Sequence, residues 1–458
     1  MNHYRTEKDS LGEVRIPKDA LWGAQTQRAV NNFTVSRPMP NRFIRAIALI
    51  KGCAAEVNCD LGLLDSDKAL AISQAAASIA AGEFADQFPV DVFQTGSGTS
   101  SNMNVNEVIA HLCQRQSVTV HANDDVNLGQ SSNDTIPTAM HLASVLAVTE
   151  QLLPALGLLR DTILLRAGEL ADEVKPGRTH LMDAMPITFA QQLNGWAVQF
   201  DHAEGKLQGA VHGLLRIPQG GTAVGTGVNC HHEFASRFCQ HLSEKTGQHF
   251  QPLDSFFAGQ GAIDRPLAMS SALRGLAVVL MKICNDLRWM NSGPQHGLGE
   301  ITLPALQPGS SIMPGKINPV ICESVCMVAA QVMGLDQANA IGAQSGNFEL
   351  NVMLPLVADN LLGMTTMLAS SMNMLDRSVI SGFRVNSEHL AETINKNPIL
   401  VTALNPLIGY NRAAEIAKEA WRSGRPVIDV ACEKTDLSRE QLEKLLDPVK
   451  LTRGGSDL

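Results

Sequence analysis

From about residue 138 to residue 387 the apolar positions recur at three- and four-residue spacing, a pattern that only long helices can use. Met140, Leu142, Val145, Leu146, Leu152, Leu153, Leu156 and Leu159 form the first such stripe, and Pro154 within it predicts a kink. A second helix is predicted from near Pro186 through Trp196 and Phe200 toward Leu215. A third opens with Asp264 as N-cap and Pro266 in the first turn. It runs through Leu267, Leu273, Leu276, Val279 and Leu280 to Trp289, where Gly293 and Pro294 stop it. Two further apolar runs cover about 319–342 and 350–377. Five long helices in succession predict a bundle. Composition agrees: only 4% of residues are aromatic, while Met reaches 17. Cores of Ala, Leu, Val and Met pack as helices more readily than as sheets.

A chain of 458 residues, at about 150 per domain, predicts three domains. Residues 1–137 mix short apolar runs with turn signals such as Arg37-Pro38-Met39-Pro40 and the Gly96 and Gly98 cluster. Residues 138–387 are the helical bundle, and 388–458 a small helical domain. In that last segment Ala413–Trp421 reads as a surface helix ended by Gly424, and Ser438 with Gln441 as a capping box. The fold class is mostly α.

Lys plus Arg number 36 against 45 Asp plus Glu, a net charge of −9 without a basic stripe. That excludes a nucleic-acid binder and a polybasic membrane anchor. Charges such as Glu323 and Asp359 interrupt the apolar runs, so no membrane span is expected. The opening, MNHYRTEKDSLG, is polar and charged with no apolar core, which predicts no secretory signal and a cytoplasmic protein. Nine cysteines without a CxxC pair read as reduced, buried thiols, with Cys322 and Cys326 on one helical face.

Four stretches are polar and Gly-rich against this apolar background: Thr95–Asn104 (TGSGTSSNMN), His121–Asp134 (HANDDVNLGQSSND), Gly177–Asp183 (GRTHLMD) and Gly309–Pro319 (GSSIMPGKINP). Short hydroxyl and amide side chains grip carboxylate oxygens. Any one of these stretches alone would read as a helix cap or turn. Four together, one with a Thr-His pair and one with a Lys after Pro-Gly, point to a site. His231-His232-Glu233 does not read as a metal site, because adjacent histidines point to different faces and no third ligand is spaced to help. Gly220–Gly227 (GGTAVGTG) lacks both a βαβ setting and the Lys-Ser/Thr ending of a phosphate loop.

The run GSSIMPGKINP resembles the signature loop of the fumarase/aspartase superfamily, and the other three stretches resemble its remaining blocks in order and spacing. The opening, with DSLGEVRIP and LWGAQTQRAV, and the run SGNFELNV at 345–352 are similar to class II fumarases in particular. The resemblance covers essentially the whole chain. It implies a homotetramer whose five-helix bundles pack into a twenty-helix core, with three chains contributing to each site. It implies reversible hydration of fumarate to L-malate in the tricarboxylic acid cycle, with no cofactor and no metal. Ser310 is then the base, its alkoxide stabilised by loop N–H groups and by Lys316, with Gly309 and Gly315 shaping the loop. His180 manages the leaving hydroxyl and is oriented by Glu323. Ser97, Gly98, Thr99, Ser131, Ser132, Asn133, Thr179, Ser311, Lys316, Ile317 and Asn318 hold the dicarboxylate. His121, Ala122, Asn123 and Asp124 correspond to a second dicarboxylate site that in some relatives uses an arginine just ahead of it. Here Ser117, Val118, Thr119 and Val120 stand there instead. Leu128-Gly129 likewise replaces an expected Lys-Ser. The alternatives are an ammonia-lyase such as aspartase, disfavoured by the opening and SGNFELNV, and a structural protein that lost catalysis. Retention of Ser310, His180, Lys316, Asn318 and Glu323 argues against the latter.

Overall fold

The computed structural model describes residues 4–455, so the first three residues of the charged opening lie outside the described residues. A hairpin of β1 (Tyr4–Asp9) and β2 (Gly12–Pro17) leads into α1 (Ala24–Asn32), α2 (Asn41–Asp60), α3 (Ser66–Ala81) and α4 (Thr99–Arg115). The helix α5 (Ser132–Ala147) continues through a π-turn at Val148–Leu152 into α6 (Leu153–Glu169). A second antiparallel hairpin, β3 (Val174–Thr179) and β4 (Met182–Thr188), precedes α7 (Phe189–Leu214). Then come α8 (Phe234–Thr246), α9 (Phe256–Gly261), α10 (Asp264–Met290), α11 (Val320–Gln344) and α12 (Leu354–Leu375). Every sheet among the described residues has only two strands.

The long-helix expectation holds, with local shifts. The irregularity predicted at Pro154, the second residue of α6, falls just ahead of it as the π-turn at Val148–Leu152. Pro186 belongs to β4, so α7 starts three residues later, at Phe189. Asp264 is the first helical residue of α10 and not its cap: Leu267 N donates to Ile263 O at 3.0 Å, which makes Ile263 the cap by backbone. The tail reads as expected. Ser438 and Gln441 form a full capping box, and Gly424 ends the helix Tyr410–Ser423 in the left-handed region at φ 67°.

Chain contacts divide into two compact units, Met1–Pro154 with Ala203–Ala277 and Ala330–Ala369, and Ala155–His202 with Val278–Ala329 and Ser370–Leu458. In the first unit Phe43, Ile47, Ile50 and Ile72 are fully buried. A buried polar ladder also joins three long helices there. Ser270 of α10 donates to Asp336 of α11 at 2.7 Å, Asn339 to Ser270 at 2.9 Å, and Asn360 of α12 to Asn339 at 2.8 Å. In the second unit Lys282 of α10 lies 5.9 Å from the Trp196 ring of α7. The tail there carries its own core around Leu400, Leu404, Ile416, Val430 and Leu442.

One sequence expectation is corrected. Three helical runs, Ser132–Glu169, Asp264–Met290 and Val320–Gln344, are long and apolar enough to cross a membrane by length and composition. Isolated charges such as Glu323 do not lower a window average enough to prevent this. Within the protein 56%, 50% and 28% of these windows are buried, and α11 keeps Met327 and Ile341 exposed.

Burial also sets a pH response. His141 of α5 is buried with Nδ1 against the carbonyls of Leu214 and Arg216, at 3.2 and 2.9 Å. Burial pushes its pKa down to about 4. Between about 4 and 6.5 the unfolded chain binds a proton there that the folded chain does not. Stability from this group is therefore full above about pH 6.5 and falls as pH drops toward 4, by up to about 3 kcal/mol. Urea midpoints at pH 5 and pH 7 should differ less in His141→Gln than in the wild type.

Candidate functional site

In the first unit two helices begin side by side. Thr99 opens α4 and Ser132 opens α5, and their hydroxyl oxygens lie 2.7 Å apart. Ser97 Oγ lies 2.9 Å from Thr99 Oγ1, and Gly98 between them takes the left-handed conformation. Helix N-termini expose unpaired N–H groups and the positive end of the peptide dipoles. Two of them beside three hydroxyls make a set of donors suited to a carboxylate.

The Ser131–Asn133 turn is held from below. Ser131 caps α5 and accepts from Asn133 N, while Asp134 accepts from Ser131 N at 2.9 Å, the reciprocal capping arrangement. The other Asp134 oxygen accepts from Gly220 N at 3.0 Å and Thr222 N at 2.9 Å, and Asn133 donates to Ala223 O at 2.8 Å. The GGTAVGTG segment, unassigned from sequence, is thus the brace of this turn. Burial raises the Asp134 carboxyl against the pull of those N–H groups. The Leu128-Gly129 replacement has a backbone account too. Gly129 sits at φ 68°, where a serine would be strained, and Leu128 O accepts from Asn58 at 3.0 Å.

In the second unit the loop at 309–319 folds back on itself. Gly309 N donates to Lys316 O at 2.8 Å, and Asn318 Nδ2 donates to Gly309 O at 2.7 Å. This turns the Ser310 hydroxyl inward, where its oxygen accepts from Ile312 N at 3.2 Å and Met313 N at 3.1 Å. Two N–H groups on one hydroxyl oxygen favour its deprotonated form. The Lys316 ammonium donates to Asn318 Oδ1 at 2.8 Å. Ser311, Ile312 and Ile317 are exposed, Ile312 by 83%. A Cβ on Gly309 would meet Lys316 O at 2.4 Å and Asn318 N at 2.9 Å. Gly309→Ala should therefore prevent closure of the loop and lower kcat at least about tenfold, at the scale of a displaced catalytic group. Its thermal midpoint should barely move, since the loop is largely exposed.

A cavity of 670 Å³ adjoins the loop, with Arg288, Asn291, Lys316, Asn318, Glu323 and Asn386 in its wall. Glu323, in the first turn of α11, is half-buried. Thr179 and His180 occupy the β3–β4 hairpin, which the sequence did not announce because it lacks an Asn-Gly turn. His180 and Leu181 are the two turn residues, at φ 56° and 60°. Such a tight turn requires positive φ at both positions, which costs a leucine dearly and is typical of functional sites. The strands are anchored instead by buried Glu300, which pairs with Lys175 at 2.8 Å and Arg178 at 2.5 Å. The tip is left bare: His180 is exposed, Leu181 by 64% and Met182 by 70%. Among the described residues His180 forms no hydrogen bond with Glu323 or Ser310 of its own chain.

His121–Asp124 form the start of a π-turn, with His121 Nδ1 accepting from Asp124 N at 3.1 Å. His121, Ala122 and Asn123 border a separate 580 Å³ cavity whose wall also carries Glu7, Lys8, Asp9, Glu107 and His111. The His231 and His232 rings do not diverge as expected but lie 4.3 Å apart. No group of three or more metal-ligating side chains occurs among the described residues.

Comparison with known proteins gives consistent results. A family profile described as Lyase matches residues 12–334, and one described as Fumarase C C-terminus matches 400–453. Fumarate hydratase class II 2 of Pseudomonas aeruginosa is 57% identical over 457 residues, covering 99% of this chain and 100% of its own. Fumarate hydratase class II of Xylella fastidiosa is 54% identical over 456 residues, covering 99% and 96%. The crystal structure of class II fumarase from Schistosoma mansoni superposes with a TM-score of 0.96 at 36% identity, over 98% of this chain and 99% of that one.

Proposed function

The chain belongs to the class II fumarate hydratases of the lyase family, and from that membership we propose how its own residues interconvert fumarate and L-malate. The reaction is the hydro-lyase step of the tricarboxylic acid cycle. Its difficulty lies in removing a proton beside a carboxylate, which leaves a third negative charge on the substrate. Ser310, as alkoxide, takes the C3 proton of malate. The observation that carries this role is the pair of N–H groups on its oxygen. The C–H electrons move into the adjacent carboxylate as an aci-carboxylate. They return to form the double bond as the C2–O bond breaks, and His180 supplies the proton that lets the hydroxyl leave as water. Ser97, Thr99, Ser131, Ser132 and Asn133, with Gly98 between them, grip one end of the acid, and Lys316, Asn318 and Thr179 the other. Ser311 and Ile317 complete the loop surface, and Glu323 orients His180. The His121–Asp124 segment is the candidate for a second dicarboxylate site, beside a cavity whose wall carries Lys8 and His111 as well as Glu7, Asp9 and Glu107.

The working form in this proposal is a homotetramer in the cytoplasm, its bundles joined into a twenty-helix core. The domains of this proposal are 1–137, 138–387 and 388–458, the second supplying the bundle helices of that core. Leu158, Leu165, Val198, Val278, Met327 and Ile341 support it, large apolar side chains on bundle helices that are each about half exposed or more. Neighbouring copies cover these faces, and the bare His180 hairpin completes a site on another chain. The test follows absorbance of the fumarate double bond with malate, aspartate or neither supplied. Signal from malate alone supports the hydratase. Signal from aspartate alone replaces it with an ammonia-lyase, and none from either means the fold is kept without this chemistry.

A further inference from the structure

Lys51 is fully buried in the middle of α2, a position where a lysine is almost never found without a partner. Its ammonium donates to Asn127 Oδ1 at 2.7 Å and to Gln130 Oε1 at 3.1 Å. Both acceptors lie in the four residues that lead into the Ser131 cap of α5. Asn127 Oδ1 also accepts from Asn102 at 3.2 Å and Asn106 at 3.3 Å, both in the first two turns of α4 below Thr99. The same segment closes on itself, with Asn127 donating to Gln130 O and Gln130 to Val126 O, each at 3.1 Å. One amide oxygen therefore gathers donors from α2 and α4 while its backbone leads into α5. Loss of Lys51 would strip Gln130 Oε1 of its donor and Asn127 Oδ1 of its shortest one, loosening the half-buried junction beneath both helix starts.

We infer that Lys51 is a positioning residue for the dicarboxylate grip, fixing the spacing of the Thr99 and Ser132 hydroxyls without touching the substrate. The inference rests on the fumarate hydratase reading above. Burial pushes the Lys51 pKa down to about 7, with the Asp134 carboxylate opposing, which is consistent with an ammonium held only by that surround.

Lys51 acts on binding geometry and not on the base, so its removal should separate the kinetic constants. In Lys51→Met, of similar length but without donors, KM for malate should rise at least about tenfold while kcat stays within about threefold. Lys51→Gln, which keeps one amide donor, should recover part of that KM. Asn127→Leu should give the same split, and Lys51→Met with Asn127→Leu should be no worse than either alone, because both break one junction. The wild type is assayed first: no malate turnover there refutes the function and not the positioning role. If the wild type is active, unchanged KM in an assembled Lys51→Met tetramer overturns the inference, as does a loss confined to kcat or full additivity in the double variant. Should Lys51→Met fail to assemble, Asn127→Leu decides by the same split.

Discussion

Ser310→Ala tetramers are expected to assemble normally and to dehydrate malate at least about 10²–10³-fold more slowly, the range seen when one preorganised catalytic group is removed. Ser310 Oγ holds no helix or strand in place; it receives two N–H groups from its own loop. Loop closure depends on Gly309, Lys316 and Asn318, none of which the substitution alters. Assembly and thermal stability should therefore survive while turnover does not. KM should change little, because the carboxylate grips lie elsewhere. A rate within threefold of wild type would remove Ser310 as the base.

The second large effect should come from mixing two dead proteins. His180 stands on an exposed hairpin tip and makes no hydrogen bond to Ser310 within its chain among the described residues. If the site is completed across copies, inactive Ser310→Ala and inactive His180→Ala chains, unfolded and refolded together, should regain activity. With equal amounts and random assortment, about a quarter of sites receive an intact residue at both positions, since the two are drawn from different copies in a closed oligomer. Hybrids verified by mass that stay as dead as either parent would rule out a shared site. A Glu323→Gln chain mixed with each parent would then show which residues share a copy.

Much of this was legible in the sequence, for identifiable reasons. The bundle helices announced themselves because a 3.6-residue stripe carried over twenty or more positions overwhelms local exceptions such as Pro154. The loop at 309–319 was legible because Gly, Pro, Ser and Lys sit there at offsets that few other structures need. The His180 hairpin was not: its strands are six and seven residues long, and its turn places a histidine and a leucine where glycine and asparagine normally stand. Asp134 was hidden for a different reason. Besides Ser131 three residues away, its partners are backbone N–H groups 86 and 88 residues away, and backbone donors carry no sequence signal. Lys51 carries no sequence signal of its own, because only tertiary packing reveals that α2 is enclosed at that point.

The three hydroxyls of Ser97, Thr99 and Ser132 form a short chain, each oxygen within 2.7–2.9 Å of the next. Such a chain owns three protons, and its two contacts engage two of them, leaving one to point outward. An arriving carboxylate therefore finds one hydroxyl proton at once. It collects others only by inducing rotors to swing away from their neighbours, exchanging one hydrogen bond for another. Little enthalpy is gained from those exchanges, and the N–H groups of Ser100, Ser101 and Asn133 are already taken by Thr95, Gln94 and Ser131, so the net attraction must come from the positive ends of the two helix dipoles. The hydroxyl row works instead as a reversible shutter, self-satisfied when the site is empty and able to follow a carboxylate as it turns. Replacing Thr99 by valine would leave the shutter without its middle slat, stranding Ser97 and Ser132 as isolated donors with fixed aims.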